Sequence, residues 1–139
     1  MSQRVLVDIN ILLDVLARRE PHYAASAALW AAAETRAIEG LVSATSIVTL
    51  YYLLHRAANR ATALRGIRLV RELFHVIPVD EVLIDEAMVS PLHDFEGAVQ
   101  YHSALRAGVA IIVTRDMRHF KNSAIPVLSP AAILAHLGG

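Results

Sequence analysis

Apolar residues along this chain switch between short unbroken runs and helical spacing. Val5-Leu6-Val7 is a compact run, read with its flanks as a strand over 4–8, and from about Asn10 to Ala17 the pattern turns helical through Ile11, Leu12, Leu13 and Leu16. Pro21 opens a second predicted helix that reaches about Ile38 and stops at Gly40. Leu41-Val42-Ser43 reads as a second strand, with Thr45 or Ser46 capping a helix that carries Val48, Leu50, Tyr51 and Leu54. From Thr62, the positions Leu64, Ile67, Val70, Leu73 and Phe74 describe an amphipathic helix.

His75 to Val79 forms a third strand, which Pro78 assigns to the periphery of a sheet, and Asp80 leads a helix through Met88. A further helix runs from Asp94 to Ala107 and is closed by Gly108. Val109 to Val113 is a buried strand, Val127-Leu128 a short one, and Pro130 to Leu137 a terminal helix with proline in its first turn. Strands alternating with helices predict right-handed crossovers and an α/β fold: a three-layer α/β/α sandwich around a central parallel sheet.

The chain has 139 residues, a size suited to one domain spanning 1–139, and its 55% hydrophobic content excludes disorder. The absence of cysteine removes disulfide frameworks and thiolate zinc sites. The longest uncharged stretch, Gly40 to Leu54, is too short and too rich in Ser and Thr for a membrane span. With no export signal at the N-terminus, the expected location is cytoplasmic. Thirteen basic residues balance thirteen acidic ones, yet His55 to Arg71 holds Arg56, Arg60, Arg65, Arg68 and Arg71 and no acid. Such a flank is either a solvated helix face or a track for phosphates.

Chemistry concentrates where strands end. Asp8 follows the first strand and Asp116 follows the fourth, more than one hundred positions away. In open parallel sheets ligands bind beyond the carboxyl ends of the strands, so the two acids are expected to meet. Carboxylates gathered there repel one another unless they share a cation, which points to Mg²⁺ or Mn²⁺. Capping the following helix is the competing role for Asp8. Asn10 and Asp14 add polar groups one turn apart, and Thr114 precedes Asp116 by two positions. Arg115, Arg118, His119 and Lys121 surround Asp116, either clamping a phosphate or solubilising a loop. Trp30 and the Tyr51-Tyr52 pair suit a core or dimer interface better than base stacking. No Gly-rich phosphate loop is present.

Taken together, Leu6-Val7-Asp8-Ile9-Asn10-Ile11-Leu12-Leu13-Asp14, Ser43-Ala44-Thr45 leading into a helix, Asp94-Phe95-Glu96 opening another, and Thr114-Arg115-Asp116 resemble the PIN-domain family, including the VapC-type toxin ribonucleases. The resemblance covers nearly the whole chain. It implies a PIN-like fold and a metal-dependent endoribonuclease acting on RNA, with Asp8, Asp94 and Asp116 as catalytic and Mg²⁺- or Mn²⁺-ligating carboxylates. Asn10, Asp14, Thr114 and Glu96 would support them, and Arg65, Arg68, Arg71, Arg115 and Arg118 would contact RNA. An antitoxin protein and a homodimer are the implied protein partners.

Two positions depart from the family pattern. The helix after the second strand has no glutamate, Thr49 standing at the equivalent place, and Gly97 stands where similar sequences carry a ligating aspartate. Asp94, a helical turn before position 97, is the expected substitute, with Glu96 rotated about 100° from position 97. An added carboxylate at position 97 is expected to strengthen metal binding. A catalytically degenerate module that binds RNA or protein is the alternative to a nuclease.

Overall fold

The computed structural model describes residues 2–138. In chain order the elements are β1 (Gln3–Val7), α1 (Ile9–Leu16), α2 (Tyr23–Glu34), β2 (Ile38–Ser43), α3 (Ala44–Ala57), α4 (Arg60–Leu73), β3 (His75–Ile77), α5 (Glu81–Met88), α6 (Phe95–Arg106), β4 (Ile111–Val113), a 3-10 helix (Met117–Phe120), β5 (Val127–Leu128) and α7 (Pro130–Gly138). The strands form one parallel sheet in the order β3-β2-β1-β4-β5. From β1 the chain first builds outward through β2 to β3. It then returns to the other side of β1 for β4 and β5. The order therefore reverses between β1 and β4, the place where open α/β sheets leave a crevice for ligands.

Alternation along the central strands divides the core in two. Val5 and Val7 point into one apolar cluster and Leu6 into the other, and Ile111 and Val113 part from Ile112 in the same way. Helices α1, α2, α3, α4 and α7 cover the first face, and α5 and α6 cover the second. This is the three-layer arrangement expected from the sequence, and β3 lies at the sheet edge as Pro78 indicated. No helix among the described residues is long and apolar enough to cross a membrane.

The helix expected to run on to Ile38 ends earlier, at Glu34, and Arg36 turns the chain with φ of 63°. Ile38 and Gly40 belong to β2. Gly40 is therefore a strand residue and not a helix stop. Its missing side chain makes room for Phe74, since a Cβ there would lie 2.5 Å from the Phe74 ring. Phe74 in turn meets Trp30 edge to face at 5.2 Å, so Trp30 packs on the core. Ser43, and neither Thr45 nor Ser46, occupies the cap position of α3. Asn59 starts α4 earlier than expected, its side chain accepting from the Thr62 amide at 2.8 Å.

Candidate active site

Asp8 is the cap residue of α1, but its carboxylate makes no capping bond. It is 3% exposed, and Oδ2 accepts from the Thr114 hydroxyl at 2.7 Å. The same hydroxyl accepts from the Asp116 amide at 3.0 Å. Thr114 thereby ties the Asp8 carboxylate to the main chain at Asp116. The β1–β4 register makes this pairing, since Val7 stands opposite Val113 and the Asp8 amide donates to the Val113 carbonyl at 3.0 Å.

Asp116 faces basic side chains. Arg118 Nε lies 3.3 Å from Oδ1 and His119 Nε2 3.2 Å from Oδ2, and Oδ1 also accepts from the Arg118 amide. Partial desolvation works to raise the Asp116 pKa. The Arg118 hydrogen bonds and the His119 and Arg118 charges outweigh it and leave the carboxyl below its ordinary value.

Asp94 caps α6, Oδ2 accepting from the Gly97 amide at 2.7 Å. Glu96, on the first turn of α6, is shifted the other way. Loss of solvent and then the negative charges of Asp8 and Asp94 raise its pKa, with His119 opposing. Glu96 thus responds to the charges of both aspartates, although the sequence ranked it behind Asp94 as a ligand.

Gly97 also departs from expectation. A Cβ at this position would overlap the backbone carbonyl of His119 and lie 3.1 Å from Asp94 Oδ2. The 3-10 helix rests on α6 at this point, so the space for an added ligand is filled by main chain. An aspartate introduced at position 97 cannot simply complete the acid set.

Asp14 is committed to other partners. It is fully buried and accepts from Ser26 Oγ at 3.0 Å and from Arg115 through Nε at 2.7 Å and Nη2 at 3.2 Å, with Arg19 Nε 3.6 Å away. Arg115 thus has two of its nitrogens committed to a carboxylate. Asn10 is partly exposed and joins none of these bonds. Thr49 returns its hydroxyl to the Thr45 carbonyl at 3.3 Å, within its own helix. Arg65, Arg68 and Arg71 are exposed on α4, and among the described residues none of them forms an ion pair. Because α4 leads directly into β3, its Arg71 end lies toward the start of the strands, away from Asp8.

Sequence reasoning named His119 only within a basic flank and not as a partner of the Asp116 carboxylate, named Ser46 only as a cap, and did not single out the buried Gln100. The spacing of four between Glu96 and Gln100 was the available signal for the latter. Among the described residues, no three His, Cys, Asp or Glu side chains form a group able to hold a metal ion.

A parallel α/β sheet carrying an acid after each of the two strands at its reversal point defines a recognisable class. The model of the PIN domain matches residues 4–118, and the chain belongs to that family. Ribonuclease VapC1 of Aquifex aeolicus is 26% identical over 133 residues, covering 92% of this chain and 91% of that protein. Among solved structures, PAE2754 from Pyrobaculum aerophilum superposes with a TM-score of 0.67 at 20% identity, covering 99% of this chain and 97% of that one. VapC20 of Mycobacterium tuberculosis, a toxin that cleaves the sarcin-ricin loop, gives 0.67 at 14% identity over 81% of this chain and 90% of its own. The VapBC2 structure from Rickettsia felis, bound to a DNA fragment from its promoter, gives 0.66 at 10% identity over 91% and 98%.

Proposed function

We propose that this chain is a divalent-metal-dependent endoribonuclease that acts as the toxin of a toxin–antitoxin pair. The observation that carries the proposal is the Asp8–Thr114–Asp116 connection across the β1–β4 reversal, supported by the effect of the Asp8 charge on the Glu96 carboxyl. Family membership and the similarity to VapC1 support the activity, and the neighbouring VapBC structures support an antitoxin partner.

The donor set fits a hard cation in chemistry, being all carboxylate and hydroxyl oxygen. Magnesium commonly takes only one or two protein carboxylates and keeps several waters, so a cage of three acids is not required. Asp8 and Glu96 are the residues assigned to hold it, with Asp94 and Asp116 as further carboxylates of the set. Bound there, Mg²⁺ or Mn²⁺ would lower the pKa of water and offset charge developing on a phosphodiester. Thr114 holds Asp8 in one orientation through its hydroxyl. Asp94 fixes the start of α6 and hence the direction of Glu96. Arg118 and His119 lower the negative field around Asp116, which favours the approach of a phosphate. The exposed arginines of α4 and the unused nitrogen of Arg115 are assigned to the flanking RNA backbone.

The second reading is a binding module of the same fold without cleavage, favoured by the main-chain filling at Gly97 and the lack of an acid on α3. A homodimer belongs to either reading. Replacing Asp8 with Asn separates the two, because Asn keeps an acceptor for Thr114 while removing the charge. The nuclease loses its Mn²⁺-dependent cleavage of RNA in this variant and keeps its thermal midpoint. Metal-dependent cleavage equal to that of wild type refutes the assignment of Asp8, and RNA binding without any cleavage by wild type favours the module.

A further inference from the structure

The face of α6 that continues from Glu96 through Gln100 to Ser103 is polar, although Gln100 and Ser103 are packed inside the protein. It meets the junction of β2 and α3, where Ser103 Oγ donates to the Val99 carbonyl at 2.8 Å and stands 3.1 Å from Ser43 Oγ. Ser43 Oγ is in turn 3.2 Å from Thr45 Oγ1. Two more polar side chains are buried, Ser46 in the first turn of α3 and Gln100 on α6, each 2% exposed. Ser46 Oγ and Gln100 Oε1 have no hydrogen-bond partner among the described residues.

Buried polar atoms in native proteins are almost always paired, with protein or with ordered water, and a buried water typically makes about three hydrogen bonds. A serine hydroxyl offers one proton, and the Gln100 oxygen can only accept. A water that accepts from Ser46 and donates to Gln100 satisfies both. It retains one O–H. Glu96 lies four residues before Gln100 on the same helix face, and its carboxylate is an acceptor within the neighbourhood of Asp8.

We infer that Ser46 and Gln100 hold an ordered water where the β2–α3 junction meets α6 and, through that water, orient the Glu96 carboxylate. They are positioning residues of the acid site. The consequence for metal binding rests on the function proposed above; the water site itself does not.

A crystal structure of the full chain without metal, at a resolution that reveals ordered water, tests the site directly. The expected result is one water within hydrogen-bonding distance of Ser46 Oγ, Gln100 Oε1 and a Glu96 carboxylate oxygen. Gln100→Leu, which approximates the volume without the acceptor, loses that water and keeps or raises the thermal midpoint, since no bond to protein is broken. Ser46→Ala serves as a second variant should Gln100→Leu fail to fold. Calorimetric titration with Mn²⁺ is expected to show affinity weakened about tenfold in either variant, the lower end of what loss of an outer-shell partner costs. A dry junction, a water that does not reach Glu96, or unchanged Mn²⁺ affinity in a folded variant overturns the inference. Wild-type protein that binds no Mn²⁺ refutes the metal assignment instead, and the water's contact with Glu96 then decides this inference alone.

Discussion

Arg115 grips Asp14 with two nitrogens, Nε 2.7 Å from Oδ2 and Nη2 3.2 Å from Oδ1, across 101 positions of sequence. The grip fixes the segment between the two site residues Thr114 and Asp116 to the far end of α1. It also binds the first functional segment of the chain to the last.

Asp14→Ala should therefore destabilise the protein by about 3–5 kcal/mol, because it leaves a partly buried guanidinium without its carboxylate. Urea unfolding measures the loss. Pairing Asp14→Leu with Arg115→Met should recover most of it, since apolar pairs of similar volume often match a buried ion pair. A single substitution costing under 1 kcal/mol contradicts the clamp.

Gly97→Asp should lower stability by about 1–3 kcal/mol, the usual cost of forcing atoms into a packed space. Gly97→Ala should show much of the same loss, because the first added carbon already meets the His119 carbonyl. Thermal unfolding of the two variants separates steric from electrostatic effects. An aspartate variant as stable as wild type, with tighter Mn²⁺ binding, would restore the expectation drawn from the family pattern.

Glu96 binds its proton more tightly when folded than at its ordinary value of 4.5, through desolvation first and then Asp8 and Asp94. A raised carboxyl pKa favours the folded state while the proton is bound. That advantage is lost as pH rises from 4.5 through the higher folded value. Without metal, Glu96→Gln should accordingly raise the thermal midpoint at neutral pH by about 1–3 °C, allowing for solvent screening. The gain should fade below pH 4.5. A gain independent of pH would assign the effect to something other than charge.

Replacing Arg65, Arg68 and Arg71 with Gln should weaken RNA binding and make it less sensitive to salt. Each lost phosphate contact reduces the slope of log K against log salt by about 0.7 for single-stranded nucleic acid, so the slope should change by up to about 2. Filter binding over a range of KCl concentrations gives the number. An unchanged slope returns this flank of α4 to an ordinary solvated surface.

The layers, the peripheral placement of β3 and the convergence of the segments carrying Asp8 and Asp116 at neighbouring strand ends were legible in the sequence because each rests on local pattern: β-branched runs, helical spacing, and an acid directly after a strand. The boundary between α2 and β2 was not. Gly40 carries the same letter as a helix stop, and only the approach of Phe74, distant in sequence, makes it a strand glycine. Asp14 and Asp8 look equivalent within one short motif. Their partners separate them: Arg115 and Ser26 bind one and Thr114 the other, and tertiary contacts of that range leave no local mark. The obstruction at Gly97 left no mark for the same reason, since it comes from the backbone of residue 119.

That obstruction couples two parts of the chain that would otherwise vary separately. With glycine at 97, the turn carrying His119 can settle directly on α6, and it brings the imidazole to Asp116. With the turn seated there, a side chain at 97 requires the turn to shift, so the choice of residue at 97 and the path of residues 116–120 are set together, and a search for gain of activity does best to vary both.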